Sequence, residues 1–238
     1  MNIDEINELH LFWGDKQHEL SLQDIEQARY SCNLQQMVQN FCLENMIVLD
    51  QQHGIKGYCV DQAFFLHNKI SLYQHVGDYL LTDLKSCGLV VLTADCLPIV
   101  LYDCKKKVVG VVHSGWRGSV QSVVVCALQD MQSRYRTNMQ DVQIFLGACA
   151  LWCCYEVKND FYEQFLKRSY AKNSFIKKDN KLYFDNKRFI VDQLLDFGIR
   201  YEMIYDKQPD CTICCDRYSS FRREKDRAGR QMTIVALL

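Results

Sequence analysis

A cysteine and a histidine stand at the rims of the most apolar stretch of this chain. In VVLTADCLPIVLYDCKKKVVGVVHSGWRG, residues 90–118, the triplet Ala94-Asp95-Cys96 separates two apolar runs, and His113 ends a third. A second histidine, His53 in DQQHG, follows another short apolar run at 46–49. Polar side chains at strand ends, next to glycine-bounded loops, are common carriers of chemistry. Two imidazoles and one thiolate would leave a tetrahedral Zn2+ with one open position, the pattern of catalytic rather than structural zinc. The three residues are far apart in sequence, so an ion here would bind a site already built by the fold. With thirteen cysteines and six histidines in the chain, chance placement stays open. So does a metal-free cysteine hydrolase with Cys96 as nucleophile and His113 as its base. A thiolate that saturates a zinc ion is not free to attack, so metal content separates these readings.

The elements that must position these residues are readable in outline. Short β-like runs occur at 46–49, 88–92, 98–102, 108–113, 142–146, 203–205 and 232–237. Val120, Val123, Val124, Ala127, Leu128 and Met131 step at helical spacing, which predicts a helix beginning near Ser119. Two more helices are expected at 158–169 and 186–197. The only prolines are Pro98 and Pro209, and no Gly/Ser-rich linker marks a boundary, so 1–238 reads as one domain. Strands clustered in the middle, with irregularly interspersed helices, favour a mixed α+β domain over a regular βαβ winding.

Composition narrows the partners. Charged residues make up 24% and the formal net charge is -1, which gives no bulk attraction to nucleic acid or anionic membranes. The first thirty residues carry no basic and apolar leader, and apolar runs are far too short to span a bilayer. A cytoplasmic protein with reduced thiols is the expectation. Cys211-x-x-Cys214, followed by Cys215, has the spacing of a metal knuckle. A zinc ribbon needs a second close pair, which Cys149 with Cys153 and Cys154 supplies only loosely, so these are read as thiols without metal.

The motifs TADCLPIVL and VVHSGWRG closely resemble the laccase-domain family, also labelled polyphenol oxidase or purine nucleoside phosphorylase. DQQHG, VGDYLLTD, CCYEV, LYFDNKRFIVDQLLDFGI and CTICCDRYSSFRREKDRAGRQ resemble further segments of it, so the likeness runs over most of the chain. The resemblance implies a four-layer α/β/β/α arrangement with mixed sheets. It implies His53, Cys96 and His113 as ligands of Zn2+, with copper as the alternative. It also implies phosphorolysis of adenosine, inosine, guanosine and S-methyl-5'-thioadenosine, and deamination of adenosine, so purine nucleosides and phosphate are the expected partners. Copper oxidation of phenols does not fit, because the six histidines contain no His-x-His pair to build a multicopper centre. A related family role, amide hydrolysis in the editing of peptidoglycan precursors, is the alternative enzyme activity. A non-enzymatic partner module is the remaining class.

Other polar residues are candidates for supporting roles. Arg117 suits bidentate phosphate binding, or packs its stem beside Trp116. Residues 216–230 carry six basic against three acidic side chains, Arg222, Arg223 and Arg230 among them, a local excess that would steer an anion. Asp95 is placed to orient a ligand histidine, or to bond within its own turn. The family's Gly-Pro-x-Ile-Gly is replaced by Gly147-Ala148-Cys149-Ala150-Leu151, which alters the backbone angles open to that loop.

Overall fold

The computed structural model describes residues 3–6, 8–20, 39–40, 42–65 and 70–238. Two large sheets stack face to face. The first has seven strands, in the order β1 (Ile3–Ile6), β2 (Leu9–Trp13), β16 (Arg230–Leu237), β8 (Cys87–Thr93), β4 (Asn45–Asp50) and β6 (Ile70–Val76), with β3 (Glu19–Leu20) also paired to β16. The second has six, in the order β15 (Ile204–Asp206), β11 (Val142–Leu146), β9 (Leu97–Asp103), β10 (Val108–Ser114), β7 (Tyr79–Thr82) and β5 (Gly57–Val60). Both sheets mix parallel and antiparallel pairs.

The central strands read as continuous apolar runs because both of their faces are buried. Leu89, Val91 and Val235 of the first sheet meet Val100, Tyr102, Val109 and Val111 of the second. On the outer face of the second sheet, Leu97, Ile99, Leu101, Val108 and Val112 pack beneath helices α2 (Val123–Tyr135) and α4 (Asn186–Asp196). Full burial of each such side chain contributes about 1.5–3 kcal/mol. The far face of the first sheet buries Phe12, Met46, Val48, Val90 and Ile234. The fourth, helical layer expected there falls outside the described residues. A small sheet of β12 (Glu156–Val157), β14 (Lys181–Phe184) and β13 (Phe175–Lys178) flanks the helices.

Two helical expectations change. The helix near Ser119 is broken into α1 (Trp116–Val120) and α2, because Ser122 adopts a left-handed φ of 70° between them. The helix expected at 158–169 shrinks to α3 (Asn159–Glu163), followed by a 3-10 turn at Ser169–Ser174. Lys158 offers α3 no side-chain cap, and Phe161 and Phe165 turn into a ring cluster with Phe175 and Phe184. Tertiary burial of those aromatics outweighs helical propensity. The strand expected at 203–205 begins one residue later, after a 3-10 turn at Tyr201–Met203.

Candidate functional site

Strand pairing brings the three donors together. β4 and β8 run parallel, Val48 beside Val90, so the loops that follow them leave the same edge of the sheet. Gln51 pins these loops, its amide nitrogen donating to the Leu92 carbonyl and its amide oxygen accepting from Leu92 N–H, each at 2.8 Å. After β8 the chain crosses between the sheets through Ala94, Asp95 and Cys96 and enters β9. The antiparallel register of β9 with β10 sets Ser114 opposite Leu97 and His113 opposite Pro98, which places Cys96 beside His113. His53 has a left-handed φ of 60°. Asp78 holds it there, its carboxylate accepting from His53 N–H at 2.8 Å and Gly54 N–H at 2.7 Å.

The donor atoms of His53, Cys96 and His113 all lie within 4.8 Å of one another. His113 Nδ1–H donates to Asp78 Oδ1 at 2.8 Å, which leaves Nε2 as the ring's free donor site. The His113 backbone N–H donates to the Asp78 carbonyl at 2.7 Å. Burial alone would raise the Cys96 thiol, but the charge and hydrogen bonding of His113, with His53 adding to them, bring it down to about 6. Burial works against the His113 imidazolium too, yet Cys96 and Asp78 lift it to about 9. Burial likewise opposes the Asp78 charge; His113 and the two loop N–H groups outweigh it and hold the carboxyl below its ordinary value. A Cβ added to Gly115 would come 2.6 Å from His53 Cδ2 and 3.0 Å from Cys96 Sγ, so the absence of a side chain there leaves these donors their room. An N,N,S donor set with one imidazole oriented by a buried carboxylate fits a zinc ion.

The triad opens into a cavity of about 530 Å3, the size of a small-molecule site. Trp116, Tyr155 and Phe221 give it aromatic walls, and Arg117, Arg222, Lys225 and Arg230 line it as cations. Arg117 packs beside Trp116, its guanidinium 4.4 Å from the ring centroid, and lines the same cavity. Arg222 is held similarly over Tyr155, at 4.9 Å. Buried Asn186, also in the wall, donates to the Ser114 carbonyl, while its Oδ1 has no protein partner.

Two sequence readings need correction. Asp95 does not orient a ligand histidine and is not confined to its own turn; it accepts from Thr212 Oγ1 at 2.7 Å and from Arg222 N–H at 2.6 Å, anchoring the 211–222 segment beside Cys96. The orienting carboxylate is Asp78, whose only sequence signal was its place in VGDYLLTD. Arg223 is turned away from anion binding: its guanidinium donates to the carbonyls of Thr212, Ile213 and Tyr218. Ala150, in the loop that departs from the family pattern, lines the cavity, and its N–H donates to the Asp95 carbonyl at 2.9 Å.

Known proteins resemble this chain in fold and in sequence. The chain superposes on the Bacillus licheniformis hypothetical protein YfiH with a TM-score of 0.84 at 21% identity, covering 98% of this chain and 94% of that one. For YlmD from Geobacillus stearothermophilus the TM-score is 0.80 at 22% identity, over 96% and 91% of the two chains. A purine nucleoside phosphorylase of Aquifex aeolicus is 35% identical over 162 residues, 68% of this chain and 71% of that protein. One of Borreliella burgdorferi is 33% identical over 154 residues, 63% of this chain and 65% of its own length. The family model described as multi-copper polyphenol oxidoreductase laccase matches residues 17–238, and the chain belongs to that family.

Proposed function

We propose that the protein is a zinc-dependent purine nucleoside phosphorylase acting on adenosine, inosine, guanosine and S-methyl-5'-thioadenosine, with hydrolytic deamination of adenosine at the same site. The observation that carries this reading is a single cavity holding both the His53–Cys96–His113 triad and four cationic side chains. The relatives named purine nucleoside phosphorylase support it.

Phosphorolysis joins a phosphate oxygen to C1' of the ribose and breaks the N-glycosidic bond. The sugar gains positive charge on the way, and the base departs with the bonding electrons and takes up a proton. The reaction therefore calls for a fixed anion near the sugar and a cavity that holds a flat purine. Arg117, its plane set by Trp116, offers phosphate a bidentate fork, with Arg222, Lys225 and Arg230 adding positive charge. Trp116, Tyr155 and Phe221 offer apolar faces to the base. Asn186 Oδ1 accepts a hydrogen bond from a substrate N–H or O–H. Zn2+, when bound by His53, Cys96 and His113, supplies Lewis acidity and the activated water that deamination at purine C6 requires.

The test is incubation with adenosine, with and without phosphate, resolving adenine, inosine, hypoxanthine and ribose 1-phosphate. Phosphate-dependent adenine and ribose 1-phosphate are expected. Their absence at saturating phosphate and full zinc would overturn the reading, and amide hydrolysis would replace it.

One observation favours a second reading. Cys96, His113 and Asp78 form a thiol–imidazole–carboxylate line, the arrangement of a cysteine nucleophile with an oriented base. Activity that survives complete metal removal and is abolished by alkylating Cys96 would select it.

A further inference from the structure

Away from the triad, the fold gathers four more thiols. The sulfurs of Cys153, Cys154, Cys211 and Cys214 all lie within 4.8 Å of one another, with Cys153 and Cys214 4.0 Å apart. All four are free cysteines. By spacing alone, Cys149 with Cys153 and Cys154 supply the second close pair of a zinc ribbon only loosely. The fold supplies what spacing lacks. Cys149 and Cys211 form a parallel bridge, with Thr212 N–H donating to the Cys149 carbonyl at 3.0 Å, which lays the two cysteine-bearing turns side by side.

We propose that these four cysteines bind a second, structural zinc ion. Four sulfurs around tetrahedral Zn2+, each about 2.3 Å from it, stand about 3.8 Å from one another. The cluster is therefore close to the required size. The Cys211-Thr212-Ile213-Cys214 turn is also built like a metal knuckle. Leu151 N–H donates to Cys211 Sγ at 3.4 Å, and Cys215 N–H closes the turn on the Cys211 carbonyl at 3.0 Å. Four thiolates around a divalent cation leave net negative charge, and a positive group lies against the turn that carries two of them. Arg223 donates to the carbonyls of Thr212 and Ile213 at 2.9 and 2.8 Å. Four protein sulfurs close the coordination shell, so this ion has no open position and takes no part in chemistry.

Its place in the fold gives it a purpose. The turn at 149–155 contributes Ala150 and Tyr155 to the cavity wall; the segment after Cys211 contributes Phe221, Arg222, Lys225 and Arg230. An ion shared by Cys153, Cys154, Cys211 and Cys214 fastens these two walls together. The loop 147–151 lacks the proline of the family pattern, and the metal supplies the backbone restraint that this residue would otherwise provide.

The test is zinc content per chain, which does not depend on any activity. Full-length protein purified without chelator is compared with His53→Ala/His113→Ala and with Cys153→Ser/Cys214→Ser. Wild type should carry two equivalents of zinc and each double variant one. X-ray absorption on the His53→Ala/His113→Ala protein should then report four sulfur neighbours. If Cys153→Ser/Cys214→Ser fails to fold, the zinc content and sulfur count of the His53→Ala/His113→Ala protein decide by themselves. The proposal is overturned if that protein holds no zinc, if its zinc has nitrogen or oxygen neighbours, or if mass mapping of fresh protein finds Cys153 and Cys214 joined in a disulfide. Because phosphorylase assays are not the readout, this inference and the proposed activity stand or fall separately.

Discussion

Asp78 and His113 are both buried, with Asp78 Oδ1 and His113 Nδ1 2.8 Å apart. The same carboxylate ties down the backbone N–H of His53 and Gly54. One side chain therefore sets the tautomer of one triad histidine and the backbone of the other.

Replacing Asp78 by Asn keeps its shape but removes its charge and one acceptor. The zinc dissociation constant of the triad is expected to rise about 10–100-fold, with the circular dichroism spectrum unchanged. Competition with a fluorescent chelator measures it. Asp78→Ala should also cost about 1–3 kcal/mol of stability, because buried loop N–H groups lose their acceptor.

Gly115→Ala probes the room around the donors. Gly115 has an ordinary φ of -73°, so alanine imposes no backbone strain, only contact with His53 and Cys96. The expected result is loss of zinc from the triad with an overpacking cost of about 1–3 kcal/mol, read by elemental analysis and thermal melting. Full occupancy would mean that the His53 ring has another position open to it.

The pH dependence of Cys96 follows from its surroundings. Its thiol is lowered to about 6, so in metal-free protein the thiolate persists well below the ordinary cysteine range and is lost as pH falls through that value. The matching His113 charge, raised to about 9, is lost as pH rises through 9. Alkylation of Cys96 after chelation, followed by peptide mass mapping, should show a rate midpoint near pH 6. Zinc should protect the residue at and above neutral pH, where its donors give up their protons to the metal. A midpoint above 8 would contradict this electrostatic account.

Arg117→Ala should raise the KM for phosphate about 10–100-fold, the loss of a charge-assisted contact. Arg117→Lys is expected to recover little, since an ammonium neither stacks flat on Trp116 nor binds phosphate as a fork. An unchanged phosphate KM in both variants would shift the anion site to Arg222 and Arg230.

Much of this centre was readable before folding because β8, β9 and β10 are buried on both faces and so announce themselves as unbroken apolar runs. The donors punctuate those runs. β7 was not among the expected strands, and Asp78 escaped notice with it, lying just before that strand. The helix expected at 158–169 misled because its aromatic residues serve a ring cluster rather than a helical face. The four-cysteine cluster depends on Cys149 pairing with Cys211, a contact across the chain that local spacing does not encode.

The position of β16 bears on how the molecule is made. It lies between β2 and β8 in the middle of the seven-stranded sheet, hydrogen-bonded to both. Every residue of the triad leaves the ribosome well before Arg230–Leu237 does, yet the sheet whose edge carries His53 and Cys96 has a gap until those residues arrive. The nascent chain must hold β2 and β8 apart, with unpaired edges exposed, for the whole time that the intervening segments are synthesised. Premature termination before β16 is then expected to yield no partly active fragment, only an aggregation-prone one.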